Sequence, residues 1–160
     1  MSKFEVAQSD DFKLPIVVSG RLLTSDSYFE PLHGYVNFEP DVLKQSLSKW
    51  EGIKIYKSHS SWLKSAKGEH VPIDDVVGKI IKTVWNEKEN AIEYVAEIMD
   101  RGIAYKIATE LIDSVSVGFS KSIEWLNDMA FARDITPREL SLVFNPKDKR
   151  ASVKVKEIRR

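Results

Sequence analysis

Cysteine is missing from all 160 residues. Without a thiol there is no disulfide framework, no thiolate nucleophile and no Cys-based zinc site. A reducing cytoplasm is the natural setting for such a chain. No stretch approaches the ~20 consecutive apolar residues that cross a bilayer. Met1-Ser2-Lys3-Phe4-Glu5 shows no apolar core of a secretory leader. No His-Glu-x-x-His pattern or carboxylate cluster suggests a metal, and no glycine-rich loop suggests a nucleotide, so no cofactor is expected. Histidine is scarce: His33, His59 and His70 are the full set, and none follows residue 116. Formal net charge is zero, which makes nucleic acid an unlikely partner.

The neutrality conceals an asymmetry. Residues 147–160 hold seven Lys and Arg against Asp148 and Glu157, so the preceding residues carry the opposite excess. The division expected is a main domain over 1–146 and a basic C-terminal strand or tail over 147–160. A length of 160 residues suits one domain with a core of its own.

Periodicity gives a coarse map. Residues 14–23, centred on Ile16-Val17-Val18, read as a strand. Residues 28–38 mix aromatics with Pro31 and Gly34 and read as loop with at most a short extended piece. Pro40 suits the first turn of a helix, Val42, Leu43, Leu47 and Trp50 recur at helical spacing, and Gly52 supplies a stop. Residues 53–58 form a strand leading into His59, followed by an irregular polar segment over 60–75. Strands 76–85 and 91–98 are joined by a turn at 86–90, and Asp100 caps a helix reaching Leu111. Strands follow at 113–120 and 139–144, with a shorter one at 152–155. Residues 121–138 read as a strand or helix packed outside the sheet. The sum is an α+β domain, mostly β, of six or seven strands, and strands of this number and length suit a small closed barrel with helices around it.

Chemistry concentrates in Asp113-Ser114-Val115-Ser116-Val117-Gly118-Phe119. Alternation puts Ser114, Ser116 and Gly118 on one face of a strand. Gly118 marks a bulge or permits a close backbone approach. Serine needs a base to take its proton, and the base needs a third group to hold its tautomer. In the strand Glu139-Leu140-Ser141-Leu142-Val143-Phe144, Glu139 shares a face with Ser141 and Val143. Each feature has an ordinary reading too: a small residue on a crowded strand, a surface histidine, a solvated carboxylate.

Taken in order, these pieces resemble the caudoviral prohead (head-maturation) serine proteases. The resemblance rests on Ile53 to His59, on Val77-Gly78-Lys79-Ile80 and on Ala91 to Ile98. It continues through Ser116-Val117-Gly118-Phe119, Glu139-Leu140-Ser141-Leu142-Val143, Pro146 and Ala151, and so covers residues 14–155. It implies a herpesvirus-protease-like barrel and a serine endopeptidase with Ser116 as nucleophile, His59 as base and Glu139 as orienting acid. Viral scaffold and major capsid protein are then the substrates, cleaved inside an assembling prohead in the host cell cytoplasm. Self-cleavage is expected, and a homo-oligomer is possible. Ser114 is the rival nucleophile, His70 the rival base, and Asp113 and Asp134 the rival acids; His33 is expected in a turn. Arg133 and Arg138 are candidates to support an oxyanion. The competing function is a non-catalytic assembly protein on the same barrel.

Overall fold

The computed structural model describes residues 12–60, 63, 67–70 and 72–160. The first residues and parts of the 60–75 segment lie outside them. Nine strands are described: β1 (Lys13–Thr24), β2 (Asp26–Glu30), β3 (Gly34–Phe38), β4 (Lys54–Tyr56), β5 (Val76–Asn86), β6 (Ala91–Ile98), β7 (Ser114–Leu126), β8 (Met129–Val143) and β9 (Lys154–Arg159). Two α-helices lie wholly within the described residues, α1 (Pro40–Ser46) and α2 (Arg101–Ala108), with 3₁₀ turns at Leu47–Trp50 and Ile73–Asp75; His59, Ser60 and Leu63 are also helical. The chain is therefore mostly β, as composition and periodicity indicate.

All nine strands join one sheet in the order β2-β3-β8-β4-β5-β6-β1-β9, with β7 paired to β8. Strand pairing does not close this path into a ring, unlike the closed barrel expected. The sheet is nonetheless curled: the Val153 N–H, just before β9, donates to the carbonyl of Asp113, just before β7, at 2.9 Å. One cluster of apolar side chains fills the interior, drawing Ile16, Val36, Leu43, Ile55, Ile80, Ile98, Ile107, Val115 and Leu140 from different elements. Ala151, Val153 and Val155 belong to that cluster, and β9 pairs with β1. Part of the basic C-terminal segment is thus core.

Two segments differ from the expected map. Residues 26–38 form a hairpin, with Pro31 confined to the turn and Gly34 at φ +71°. Tyr28, Val36 and Phe38 supply its buried side. Residues 121–138 form no separate element; they are the far half of the β7–β8 hairpin. Its two-residue turn, Asn127-Asp128, has φ of 51° and 63°, the left-handed pair that matches the twist of the arms. The capping of α2 is as expected: the Asp100 carboxylate accepts from the Ile103 N–H at 2.9 Å.

β8 positions the site because both its edges are occupied. β7 runs along one edge throughout; β3 pairs near the start of the other edge and β4 near its end. Residues 139–142 are all buried, so both faces of β8 are covered there.

Candidate active site

The β7–β8 ladder sets Ser116 opposite Ser141 and Gly118 opposite Glu139. Directly opposed residues project to the same face, so these four form a compact square. Glu139 is 0% exposed. Its side chain lies over Gly118, where an added Cβ would meet Glu139 Cγ and Oε1 at 2.7 Å. The ladder also shifts register between Gly118 and Phe119. Gly118 therefore marks a bulge and admits a close approach, and what approaches is the Glu139 carboxylate.

A carboxylate with no exposure must be matched by donors. Ser141 supplies one, its hydroxyl donating to Glu139 Oε2. His59 meets the other oxygen: its Nδ1 lies 2.6 Å from Glu139 Oε1, a close ion-pair contact at an oxygen with no hydrogen bond among the described residues. Two lone pairs cannot approach so closely, so Nδ1 carries a proton and Nε2 is left for chemistry. The hydrogen bond to Glu139 raises the His59 pKa above its usual value, partial burial opposes this, and the charge of Glu139 adds to the rise. The ring is 40% exposed, so its free edge reaches solvent.

β4 delivers His59. It runs parallel to β8, with Ile55 beside Leu140 and Tyr56 beside Ser141, and the turn beyond it sets His59 against Glu139. Lys57 braces that turn. Its N–H donates to the Asp75 carbonyl at 2.9 Å, and its ammonium meets the Asp75 carboxylate at 2.8 Å.

Ser116, His59 and Glu139 line one cleft of about 640 Å³. Among the described residues the Ser116 hydroxyl makes no hydrogen bond, to His59 or otherwise. Ser114 does not line the cleft, and its hydroxyl donates to Asp113 at 2.9 Å. Asp134 accepts from Ser122, and His33 lies 3.9 Å from Glu30 in the β2–β3 turn. His70 is exposed and outside the cleft. Arg133 is taken up by Glu124 and Glu39, and Arg138 donates to Ser120; neither lines the cleft.

Sequence reasoning missed the contribution of Ser141. The signal was present, since Ser141 stands two residues from Glu139 on the same face, but alternation does not say which way a hydroxyl donates. It also missed Glu30 and Lys121, which meet across the cleft wall at 2.5 Å. They are 91 residues apart, and no local pattern links them. Among the described residues, no group of three or more His, Asp or Glu side chains could hold a metal ion. Likewise, no helix is long and apolar enough to cross a membrane. Compared with known proteins, the chain matches no family model and no curated sequence.

Proposed function

We propose that the chain is a serine endopeptidase acting through Ser116, His59 and Glu139. The observation that carries this reading is the contact between His59 Nδ1 and the buried Glu139 carboxylate, at the wall of a cleft that Ser116 also lines. Ser116 and Glu139 are diagonal neighbours on the hairpin, a relation that separates side chains by about 7–8 Å.

In the reaction, Ser116 Oγ bonds to the scissile carbonyl carbon as His59 Nε2 takes its proton. Glu139 stays ionised and stabilises the resulting imidazolium. The C–N bond then breaks, the amine leaves with the proton from Nε2, and an acyl-serine remains. Water, deprotonated by the same nitrogen, hydrolyses the ester and restores Ser116. The missing Ser116–His59 hydrogen bond is compatible with this cycle, because catalytic hydrogen bonds are often long without substrate.

The resemblance to prohead proteases supplies the substrates: scaffold and capsid-protein segments cleaved during virion assembly in the host cytoplasm, with cleavage of the chain itself. It also supplies the barrel reading of the curled sheet, which the Val153–Asp113 hydrogen bond between the strand margins favours. Co-expression with scaffold and capsid protein, followed by intact mass spectrometry, tests the proposal. Discrete truncations are expected with the wild type and Ser114→Ala and none with Ser116→Ala; identical masses in all three samples would overturn it.

A second reading, a non-catalytic assembly protein, is favoured by one observation. Phe29, Leu32 and Tyr35 on the β2–β3 hairpin, and Trp125, Leu126 and Met129 around the β7–β8 turn, are exposed large apolar residues, Leu32 at 91%. A surface of this kind suits contact with another protein. Co-assembly without cleavage would select this reading.

A further inference from the structure

We propose that the hollow adjoining Ser116 is a side-chain pocket that selects a large apolar residue beside the scissile bond. The proposal deepens the endopeptidase reading and rests on it. Three observations carry it: the composition of the wall, the pairing of its charges and its rigidity.

The wall is built from Leu22, Leu23, Phe38, Val115, Phe119 and Ala151. A volume of about 640 Å³ lies within the ~300–1,000 Å³ range usual for ligand pockets, with room for a branched or aromatic side chain and its flanking backbone. These apolar groups come from β1, β3, β7 and the segment before β9, so the hollow is a property of the fold and not of one loop.

Charged groups also line the cleft, and nearly all are already spoken for. Lys121 and Glu30 are paired at 2.5 Å, both mostly buried. The second Glu30 oxygen is buried without a hydrogen bond and lies 3.9 Å from His33 Nδ1. Asp148 accepts from the Thr24 N–H at 2.9 Å and from the Arg150 guanidinium at 2.8 Å. Glu139 is held by His59 and Ser141. Lys147 is the remaining lining cation; it is exposed, and its pull on an acidic residue is screened by solvent. A charged side chain entering the hollow would give up its hydration and find counter-charges that are paired or, at Lys147, screened by solvent. An apolar one loses nothing polar and gains burial.

The far wall is stiff. Phe119 packs edge-on to Phe38, with ring centroids 5.6 Å apart, and to Trp50 at 6.4 Å. The Lys121 ammonium sits 5.5 Å from the Phe119 ring and 5.9 Å from Phe38. A preformed apolar surface costs little to organise when a ligand arrives.

The test separates the pocket from the catalysis. The Ser116→Ala protein is titrated with N-acetyl hexapeptide amides that differ at one central residue: Leu, Phe, Gly, Lys or Asp. Leu and Phe peptides should bind at least about tenfold more tightly than the Gly peptide, with Lys and Asp peptides no better than Gly. Methyl NMR resonances of Leu22, Leu23 and Val115 should move only with the apolar peptides. In parallel, the wild type is treated with a small fluorophosphonate, whose phosphorus Ser116 Oγ attacks with loss of fluoride; a mass increase on Ser116 reports a competent nucleophile. Labelling of Ser116 with equal or charge-favouring peptide binding overturns the pocket while the endopeptidase stands. Apolar-selective binding without labelling supports the pocket and removes the endopeptidase. Failure of both removes both.

Discussion

A separation of 2.6 Å between His59 Nδ1 and Glu139 Oε1 makes the protonation of the imidazole depend on the carboxylate beside it. The fold raises the His59 pKa above the ordinary ~6.5. The contribution of this contact to stability is therefore complete below the unfolded value and is lost as pH rises through the folded one. Activity runs in the opposite sense, because only neutral His59 can accept the Ser116 proton. Glu139→Gln should bring the His59 midpoint in an NMR titration down towards or below ~6.5, and lower kcat by roughly 10²–10⁴. A midpoint unchanged in this variant would sever the link between the two residues. Ser141→Ala leaves the buried Oε2 without its donor, which should cost about 1–3 kcal/mol in thermal or urea unfolding. With the carboxylate free to rotate, kcat should fall and KM stay constant; a drop in KM-linked terms alone would deny Ser141 its positioning part.

At the scale of elements, the β7–β8 hairpin does most of the positioning, and Gly118 is its narrowest point. Gly118→Ala should destabilise the fold by about 1–3 kcal/mol and abolish the elevation of the His59 pKa, because the new methyl occupies the place of the Glu139 side chain. Gly102→Ala is the control: in α2 its Cβ meets only Asp100 Oδ1 at an ordinary 3.5 Å. Equal effects of the two substitutions on His59 would refute the argument. Much of this hairpin was legible in the sequence. The alternation that groups Ser114, Ser116 and Gly118 on one side of β7, and Glu139 with Ser141 on one side of β8, is the alternation observed, and pairing brings the two groups to the same face. Its continuation through 121–138 was not, because Trp125, Leu126, Met129 and Phe131 break a clean period and the Asn127-Asp128 turn was passed over. The β2–β3 hairpin was hidden for a related reason, Pro31 and Gly34 reading as loop although they occupy only its bend. The Asp100 cap was read correctly because capping is local. The contact between Lys121 and Glu30 was invisible because it depends on the whole path of the chain.

Across the whole molecule, Asp148 ties the C-terminal segment to the rest. Burial works to raise its pKa, but hydrogen bonds from Arg150 and from the Arg150 and Thr24 N–H groups outweigh it and hold the carboxyl below the usual range. A depressed carboxyl contributes stability that is present above its unfolded value of ~3.9 and is lost as pH falls through the folded one. Asp148→Asn should therefore cost about 1.5–3 kcal/mol at pH 7, with the gap from wild type narrowing in unfolding experiments at increasingly acid pH. A gap independent of pH would mean that shape, not charge, makes the tie. Because Ala151, Val153 and Val155 lie in the common core, truncation after residue 146 should cost cooperative unfolding as well as charge.

The parallel pairing of β4 with β8 also sets a timetable. His59 leaves the ribosome well before Glu139 and Ser141, which follow it by 80 and 82 residues. Synthesis must run through β8 before the histidine meets its acid. A nascent polypeptide that has not yet added β8 consequently carries no assembled site.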